Sequence, residues 1–258
     1  MSTLIVIPAR LGATRLPRKP LRLLAGEPLI VRVWERVAAM EIADEVVVAT
    51  DSAEVAAVAR GAGARVAMTR EDHPSGTDRV AEVASSAAFK KYEVFANVQG
   101  DEPFIATEAV RGALEHVTSG RFPLGTAACA ADVAALGSPD VVKVVTDTRG
   151  RAMYFSRAPI PYLRDAADRA VRDRLVRQHI GVYAYTRDAL ARWVSLPPHP
   201  LEQAERLEQL RALADGLAIG VADVAAAGAR GIDTEDDLIA ANARWSSVHL
   251  THKVAGTH

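Results

Sequence analysis

The chain has 258 residues and a mass of 27.5 kDa, with 49% hydrophobic residues, 24% charged residues and a net charge of −1. This size suits a globular protein with a sizeable core, and the balanced charge excludes the basic footprint of a general nucleic-acid binder. The single cysteine, Cys129, excludes an internal disulfide and a cysteine-based zinc cluster, and no apolar run approaches the roughly 20 residues that span a bilayer.

In the first 120 residues, short apolar strands alternate with amphipathic helices. Strands are predicted at 4–8, 45–50, 65–68 and 93–98, and helices at 29–40, 52–62, 77–88 and 107–117. The run at 4–8 is continuously apolar, as in a strand that is buried on both faces. Because strands that alternate with helices form βαβ units, we predict an α/β fold with a doubly wound, mostly parallel sheet.

After residue 120 the pattern changes to strands with few helices between them. Strands are predicted at 124–131, 141–147, 151–155, 178–185 and 219–224, helices at 201–213 and 234–245, and a charged, helix-capable stretch at 164–177. The residues at 147–150, Asp-Thr-Arg-Gly, have the composition of a hairpin turn. We therefore predict a smaller mixed or antiparallel extension of the sheet, a single domain over 1–245, and a flexible polar tail at 246–258.

A basic loop follows the first strand, where an open α/β sheet binds its ligands. Its sequence at 8–21 is PARLGATRLPRKPL, with cations at Arg10, Arg15, Arg18 and Lys19. Arginine offers forked donors to phosphate oxygens and lysine a compact charge, so the loop suits a polyphosphate. No P-loop or dinucleotide-binding glycine pattern follows a strand, which excludes those two phosphate sites. A solvated basic loop is the alternative.

Two aspartates from distant segments are candidates for a metal site. Asp101 ends the motif Gln-Gly-Asp after the fourth strand, and Asp233 precedes the helix start Thr-Glu-Asp-Asp at 234–237. Magnesium favours one or two carboxylates together with phosphate oxygens and water, which two such residues would supply. An Asp-containing turn and a helix start are the alternatives for the two segments.

Together these motifs resemble the cytidylyltransferases that activate acidic sugars, most closely the 3-deoxy-manno-octulosonate cytidylyltransferase (CMP-Kdo synthetase) family. The resemblance rests on Pro-Ala-Arg, Thr-Arg-Leu-Pro and Lys-Pro-Leu in the loop, Gln-Gly-Asp-Glu-Pro around Asp101 and Ile-Asp-Thr around Asp233. The resemblance extends from about residue 4 to residue 242. One departure is at position 18, which is often glycine in the family and is Arg18 here. It implies transfer of CMP from CTP to 3-deoxy-D-manno-octulosonate (Kdo) for lipopolysaccharide biosynthesis, with release of pyrophosphate.

For the triphosphate and the metal, the resemblance implies four catalytic residues. Arg10 and Lys19, together with Arg15, are the expected contacts to the triphosphate of CTP. Mg²⁺ is the implied cofactor, and Asp101 and Asp233 are its expected ligands. Phosphoryl-type transfer needs positioning and charge neutralisation more than covalent protein chemistry, so no protein nucleophile is expected.

For the nucleoside, the resemblance implies contacts from the segment Ser-Gly-Thr-Asp-Arg at 75–79. The expected contacts are Ser75, Gly76 and Arg79. Because this segment also begins a predicted helix, N-capping is the alternative interpretation of its polar side chains.

For the sugar, the resemblance implies a pocket built mainly by the second half of the chain. Its expected members are Gln99, Arg157, His179, Tyr183, Glu208 and Gln209. Independently of the family, His179 and Tyr183 lie on one face of a period-two strand, and a carboxylate at Glu208, beside a partly apolar helix face, needs a polar partner. The alternative for His179 is a structural histidine whose ring nitrogens are hydrogen-bonded within the protein.

The resemblance thus divides the domain into a nucleotide-binding half at 1–120 and a sugar-binding and dimerisation half at 121–245. The homodimer is implied by the resemblance alone. Because the first residues lack a basic leader, we expect a cytoplasmic protein, with no membrane or nucleic-acid partner. Two alternatives stay open: a cytidylyltransferase for another acidic sugar, such as sialic acid or 8-amino-Kdo, and a nucleotide-sensing module without turnover.

Overall fold

The computed structural model describes residues 1–12, 15–131 and 136–254, with side chains as far as residue 245. In the first half, strands and helices alternate as predicted, except that a short, unpredicted pair of strands, at 23–24 and 27–28, lies between the first strand and the first helix. The strands are β1 (Thr3–Ala9), β2 (Leu23–Leu24), β3 (Glu27–Pro28), β4 (Glu45–Thr50), β5 (Arg65–Met68) and β6 (Val94–Asn97). The helices are α1 (Leu29–Ala38), α2 (Ala53–Gly61), α3 (Gly76–Ser85) and α4 (Thr107–Thr118).

The second half contains more strand and shorter helices. The strands are β7 (Leu124–Ala130), β8 (Lys143–Thr146), β9 (Ala152–Ser156), β10 (Arg177–Thr186) and β11 (Ile219–Val224). The helices are α5 (Arg169–Leu175), α6 (Arg187–Ser195), α7 (Pro200–Glu205), α8 (Gln209–Ala214) and α9 (Glu235–Val254). Of the helices in the described ranges, none has both the length and the apolar character needed to cross a membrane.

One sheet organises the molecule, with strand order β11-β7-β10-β6-β1-β4-β5. Strands β6, β1, β4 and β5 are parallel, β11 is parallel to β7, and β10 runs antiparallel between β7 and β6. The β8–β9 hairpin pairs with β10, and its turn at 147–150 is the predicted hairpin turn. A mostly parallel α/β sheet with a small antiparallel extension is therefore confirmed.

Hydrophobic cores lie on both faces of the sheet. In β1, Leu4 and Val6 pack into the core beneath α3, α6 and α8, while Ile5 and Ile7 pack into the core beneath α1, α4 and α9. All four side chains have no exposed surface. Burial on both faces explains why this strand is a continuous apolar run, and it leaves the carboxyl edge of the sheet as the place for polar chemistry.

Helix α6 has no counterpart among the predicted helices. It follows β10 directly, and the hydroxyl of Thr186, the last residue of that strand, accepts a hydrogen bond from the Ala189 amide at 3.2 Å. The helix buries Ala189, Leu190 and Trp193. Since no glycine or proline separates the strand from the helix, the sequence carries only the weak signal of the threonine cap.

The single helix predicted at 201–213 is in fact two helices, α7 and α8. The chain breaks at Arg206, which adopts the left-handed conformation with φ 54°. Glycine usually occupies that conformation, so an arginine gives no warning of the break. The break buries Leu207 and places Glu208 and Gln209 at the corner between the two helices.

Helix α9 begins within one residue of its predicted start and continues to Val254, past the predicted end at residue 245. Residues 255–258 lie outside the described residues. The flexibility of 246–258 stays a prediction.

Candidate active site

The basic loop returns to the edge of the sheet through a short 3-10 turn at Lys19–Leu21. Arg18, just before it, has a left-handed φ of 56°, a conformation that glycine adopts without strain. Pro20 is buried and anchors the turn, so that Lys19 is presented to the carboxyl edge of the sheet. Residues 13 and 14 of the loop lie outside the described residues.

The turn after β6 packs directly against the end of β1. A Cβ atom at Gly100 would lie 2.6 Å from the carbonyl oxygen of Pro8, so only glycine permits this approach. The next residue is Asp101, whose carbonyl oxygen accepts a hydrogen bond from the Ile232 amide at 2.9 Å. This backbone contact brings the segment before α9 alongside the turn.

The cap of α9 leaves Asp233 available to the basic loop. The Thr234 hydroxyl accepts from the Asp237 amide at 3.2 Å, and a carboxylate oxygen of Asp237 accepts from the Thr234 amide at 2.8 Å. Thr234 and Asp237 therefore cap the start of the helix by accepting hydrogen bonds from each other's backbone amides. The Asp233 side chain therefore points away from the helix start, towards Lys19.

Lys19 joins the two predicted aspartates. Its Nζ lies 2.6 Å from Asp101 Oδ2 and 2.8 Å from Asp233 Oδ1, and Arg15 lies 3.1 Å from the other oxygen of Asp233. Burial opposes the charge of Lys19, but the two carboxylates together raise its pKa above the ordinary value. Two carboxylates from distant parts of the sequence therefore meet at a lysine of the basic loop.

Glu102 adds a third acidic group that was not among the predicted site residues. Burial, and then the negative charges of Asp101 and Asp233, raise the pKa of its carboxyl group to about 7. A site this rich in acidic groups is stabilised by an additional cation. Its place directly after Asp101 in Gly-Asp-Glu-Pro was the available sequence signal.

Two cavities meet at the Asp101 side chain. The smaller one, of about 100 Å³, is lined by Arg10 and Lys19 of the basic loop together with Gln99 and Asp101. The larger one, of about 640 Å³, has Arg15, Asp101 and Asp233 on one side. Its other walls contain five of the six predicted sugar residues: Gln99, Arg157, His179, Tyr183 and Gln209.

His179 is a neutral hydrogen-bonding group in the wall of the larger cavity. Its ring lies between Phe155 and Tyr183, and burial lowers its pKa to about 3. The Thr126 hydroxyl donates to the Val182 carbonyl at 2.7 Å, so it accepts from His179 Nε2 at 2.9 Å. This arrangement places the ring proton on Nε2 and leaves Nδ1 as an acceptor.

The Tyr183 hydroxyl is a buried polar group in the same wall. It has no hydrogen-bond partner within the described part of the chain. Buried polar groups are nearly always hydrogen-bonded, so this hydroxyl is suited to a hydroxyl group of a ligand or to an ordered water.

Arg157 lines the cavity, but much of its guanidinium group is already engaged. Nε donates to the Glu205 carbonyl at 2.7 Å, Nη1 to the Pro139 carbonyl at 2.7 Å, and Nη2 to the Arg206 carbonyl at 3.3 Å. Arg157 therefore braces the cavity wall and retains only part of its donor capacity for a ligand.

Glu208 is the predicted sugar residue that does not line the cavity. Its carboxylate accepts a hydrogen bond from the Thr77 hydroxyl in the first turn of α3. Burial raises its pKa, and hydrogen bonds from Thr77 and Ser75 oppose that shift. Glu208 therefore faces the predicted nucleotide segment, across the junction of the two halves.

Ser75 and Gly76 lie at the start of α3, and Ser75 caps this helix by accepting from the Asp78 amide at 3.3 Å. A Cβ atom at Gly76 would lie 3.3 Å from the Pro8 ring, which places this helix start against the basic loop. The proposed capping role of Ser75 is therefore observed, next to the phosphate side of the site.

Arg79 lines neither of these two cavities. It is buried, its guanidinium lies 3.6 Å from Asp51 Oδ1, and it donates to the Thr69 hydroxyl. Asp51 and Thr69 follow β4 and β5, so Arg79 ties the ends of these two strands together beneath the nucleotide segment.

Comparison with known proteins identifies the relatives of this chain. The family model described as cytidylyltransferase matches residues 4–219. A 3-deoxy-manno-octulosonate cytidylyltransferase from Gemmatimonas aurantiaca is 62% identical, over 99% of this chain and 98% of the relative. One from Pseudomonas syringae pv. tomato is 46% identical, over 91% of this chain and 94% of the relative.

Solved structures give the same picture. The structure of CMP:2-keto-3-deoxy-manno-octonic acid synthetase complexed with CTP superposes with a TM-score of 0.88 at 40% identity, covering 96% of this chain and 99% of the other. The 4-diphosphocytidyl-2C-methyl-D-erythritol synthase from Anaerococcus prevotii shares the fold, with a TM-score of 0.62 at 13% identity over 95% of this chain and 98% of the other.

Proposed function

The chain belongs to the 3-deoxy-manno-octulosonate cytidylyltransferases within the cytidylyltransferase family, and from this premise we infer that it transfers CMP from CTP to Kdo. The anomeric hydroxyl oxygen of Kdo bonds to the α-phosphorus of CTP, the bond from that phosphorus to the leaving pyrophosphate breaks, and the hydroxyl proton is released. The products are CMP-Kdo, which lipopolysaccharide biosynthesis consumes, and pyrophosphate. The observation that locates the active site is the contact of Lys19 with Asp101 and Asp233, at the place where the two cavities meet.

The basic loop is proposed to bind the triphosphate. Arg10 and Lys19 line the smaller cavity, and Arg15 lies on the near side of the larger one. Their positive charges would offset the charge that develops on the departing pyrophosphate. Ser75 and Gly76 are proposed to contact the nucleoside from the adjoining start of α3.

Asp101 and Asp233 are proposed to bind Mg²⁺. The described residues contain no cluster of three or more His, Cys, Asp or Glu side chains that would enclose a metal by itself. Two carboxylates on a basic, phosphate-binding edge suit an ion that takes its other ligands from phosphate oxygens and water. Bound there, Mg²⁺ would supply positive charge to the phosphate oxygens.

The larger cavity is proposed to bind Kdo. Neutral His179, Tyr183, Gln99 and Gln209 offer hydrogen-bond donors and acceptors to a polyhydroxylated ligand without adding charge. Arg157 contributes positive charge to the same wall, which suits the carboxylate of an acidic sugar.

The function is tested by pyrophosphate release from CTP in the presence of Mg²⁺ and a panel of acidic sugars. We expect release with Kdo and formation of CMP-Kdo, and much slower release with sialic acid or 8-amino-Kdo. Preferred turnover of either of the other sugars would reassign the substrate. CTP binding without pyrophosphate release from any sugar would favour the sensing module.

We also propose a homodimer that works in the cytoplasm. Four large, exposed hydrophobic side chains fall within one stretch of the second half: Met153, Tyr162, Val171 and Leu175. Exposed apolar side chains concentrated in one segment are typical of an interaction surface.

Light scattering should give twice the mass of the 27.5 kDa chain. Leu175→Glu should weaken the dimer, while Ile239→Glu, on α9, should not. A monomeric wild type would refute the dimer.

A further inference from the structure

Lys143 is a fully buried lysine next to the larger cavity, and neither the sequence motifs nor the proposed mechanism gives it a role. It is the first residue of β8, within the run Val-Val-Lys-Val-Val at 141–145. It has no exposed surface, and its Nζ donates to the carbonyl oxygens of Ser138 at 3.0 Å, Val141 at 2.6 Å and Arg157.

The three carbonyl oxygens use all the donors of the ammonium group. Within the described residues Lys143 forms no ion pair, and burial lowers its pKa, with the charge of Glu205 opposing that shift. Packing alone would be served by an apolar side chain of similar length, without the cost of removing a charge from water. The structural consequence of the charge is the orientation of the three carbonyl groups towards it.

A second cation engages the same loop. Arg157 donates to the Pro139 carbonyl, so the carbonyl groups of residues 138, 139 and 141 are all turned towards two buried or half-buried cations. The Glu205 carboxylate accepts from the Ser156 hydroxyl at 2.6 Å and from the Arg157 amide at 2.9 Å. The loop at 138–141, the end of β9 and the end of α7 are thereby joined into one unit.

This unit forms a wall of the larger cavity. Asp140 and Val142 line the cavity from the loop, and Leu207 and Gln209 line it from the segment after α7. The Val142 carbonyl also accepts from the His179 amide at 2.8 Å. The position of the loop is therefore coupled to the backbone of a proposed sugar-binding residue.

We propose that Lys143 is a positioning residue for the sugar acceptor, because its ammonium holds the 138–141 loop against β9 and so sets the shape of the cavity that receives Kdo. The inference rests on the proposed function of that cavity. The residue acts through Arg157, Val142 and His179 rather than by contact with substrate. Its removal should weaken the binding of Kdo and leave the binding of CTP, on the far side of Asp101, nearly unchanged.

The test is steady-state kinetics of Lys143→Met, which keeps the length of the side chain and removes its charge and donors. We expect the KM for Kdo to rise about tenfold or more, while the KM for CTP and the kcat stay within about twofold of wild type. Amide hydrogen exchange across 136–142 should accelerate in the same variant. Lys90→Met makes the same change on the exposed surface and should alter neither KM.

A second variant covers the case in which Lys143→Met fails to fold. Glu205→Gln removes the negative charge that favours the Lys143 ammonium and weakens the side-chain contact to the Arg157 amide. We expect a smaller rise in the KM for Kdo, with the KM for CTP unchanged. An unchanged KM for Kdo in folded Lys143→Met, or in Glu205→Gln if the first does not fold, would overturn the proposal. Equal rises in both KM values would also overturn it, because they indicate general destabilisation. Wild-type turnover of Kdo, measured first, separates either result from failure of the proposed function.

Discussion

Lys19 is the residue on which the charge balance of the site depends. It contacts both Asp101 and Asp233, and Arg15 contacts only the second. Without Lys19, two carboxylates and the nearby Glu102 would face the incoming triphosphate with much of their repulsion uncompensated. The phosphate chemistry proposed here therefore needs this ammonium group before any substrate arrives.

We predict that Lys19→Ala raises the KM for CTP by about tenfold or more, because one cation near the triphosphate is lost and two carboxylates are left to repel it. Arg18→Ala is the matched control. The Arg18 side chain is exposed and pairs with Glu54 outside the site, so this variant should keep the KM for CTP. Normal CTP kinetics in Lys19→Ala would refute the role of Lys19.

The His179 ring, packed between Phe155 and Tyr183, predicts a pH dependence of stability. Its pKa is about 3 in the folded protein and near 6.5 in the unfolded chain. Between these values the unfolded chain binds a proton that the folded protein does not, so the free energy of unfolding should fall as the pH falls through this window. One proton limits the slope to about 1.4 kcal/mol per pH unit.

His179→Gln removes that proton and should lose less stability on acidification than wild type. Urea unfolding at pH 7, 6 and 5 measures the difference between the two proteins. Other titratable groups with shifted pKa values, such as His116, are present in both proteins, so their contributions cancel. Identical pH slopes would mean that His179 is solvated in the folded protein.

The sequence motifs were most informative about position for residues that directly follow strands. Asp101 and the basic loop follow β6 and β1, and the carboxyl ends of parallel strands meet at one edge of the sheet. Arg79 and Glu208 illustrate the limit of this reasoning. Each carries a polar group in a predicted ligand segment, but the structure directs Arg79 to Asp51 and Glu208 to Thr77. Which way a side chain points depends on tertiary packing that the motif does not encode.

At the scale of elements, the turn after β6 positions the proposed metal-binding carboxylate. Its geometry requires Gly100 to approach the Pro8 carbonyl. We predict that Gly100→Ala lowers the free energy of unfolding by about 1–3 kcal/mol, because the new methyl group meets a backbone oxygen rather than a flexible side chain.

The matched control is Gly61→Ala. Gly61 ends α2, and a Cβ atom there would have no neighbour within 4 Å. Alanine also favours a helix over glycine, so this variant should be as stable as wild type or more stable. Denaturant unfolding of both variants checks the prediction, and equal stabilities would contradict the close packing of the turn.

Strands β1, β4, β5 and β6 and the four helices of the first half were predictable because strands and helices have different periodicities. Helix α6 was not, since it begins where β10 ends. The break between α7 and α8 was not, since Arg206 takes a conformation that its side chain does not announce. Lys143 had one usable signal, a charge in the middle of a β-branched run, which is rare unless its partners are buried with it.

At the scale of the whole molecule, the site joins segments that only the complete fold brings together. The basic loop comes from the start of the chain, Asp101 from the middle of the sheet, and Asp233 from the segment before the last helix. The backbone hydrogen bond from the Ile232 amide to the Asp101 carbonyl and the contacts of Lys19 hold these segments together. The resemblance predicted that these segments lie close together, and the sheet topology explains why they do.

The proposed magnesium site is tested by comparing kcat for Asp101→Asn, Asp233→Asn and the double variant, with saturating CTP, Kdo and Mg²⁺. If both carboxylates bind one ion, each single change should lower kcat by about a hundredfold or more, and the double change should cost little beyond either single change. Near-normal turnover in either single variant, or losses that multiply in the double variant, would contradict a shared ion at this site.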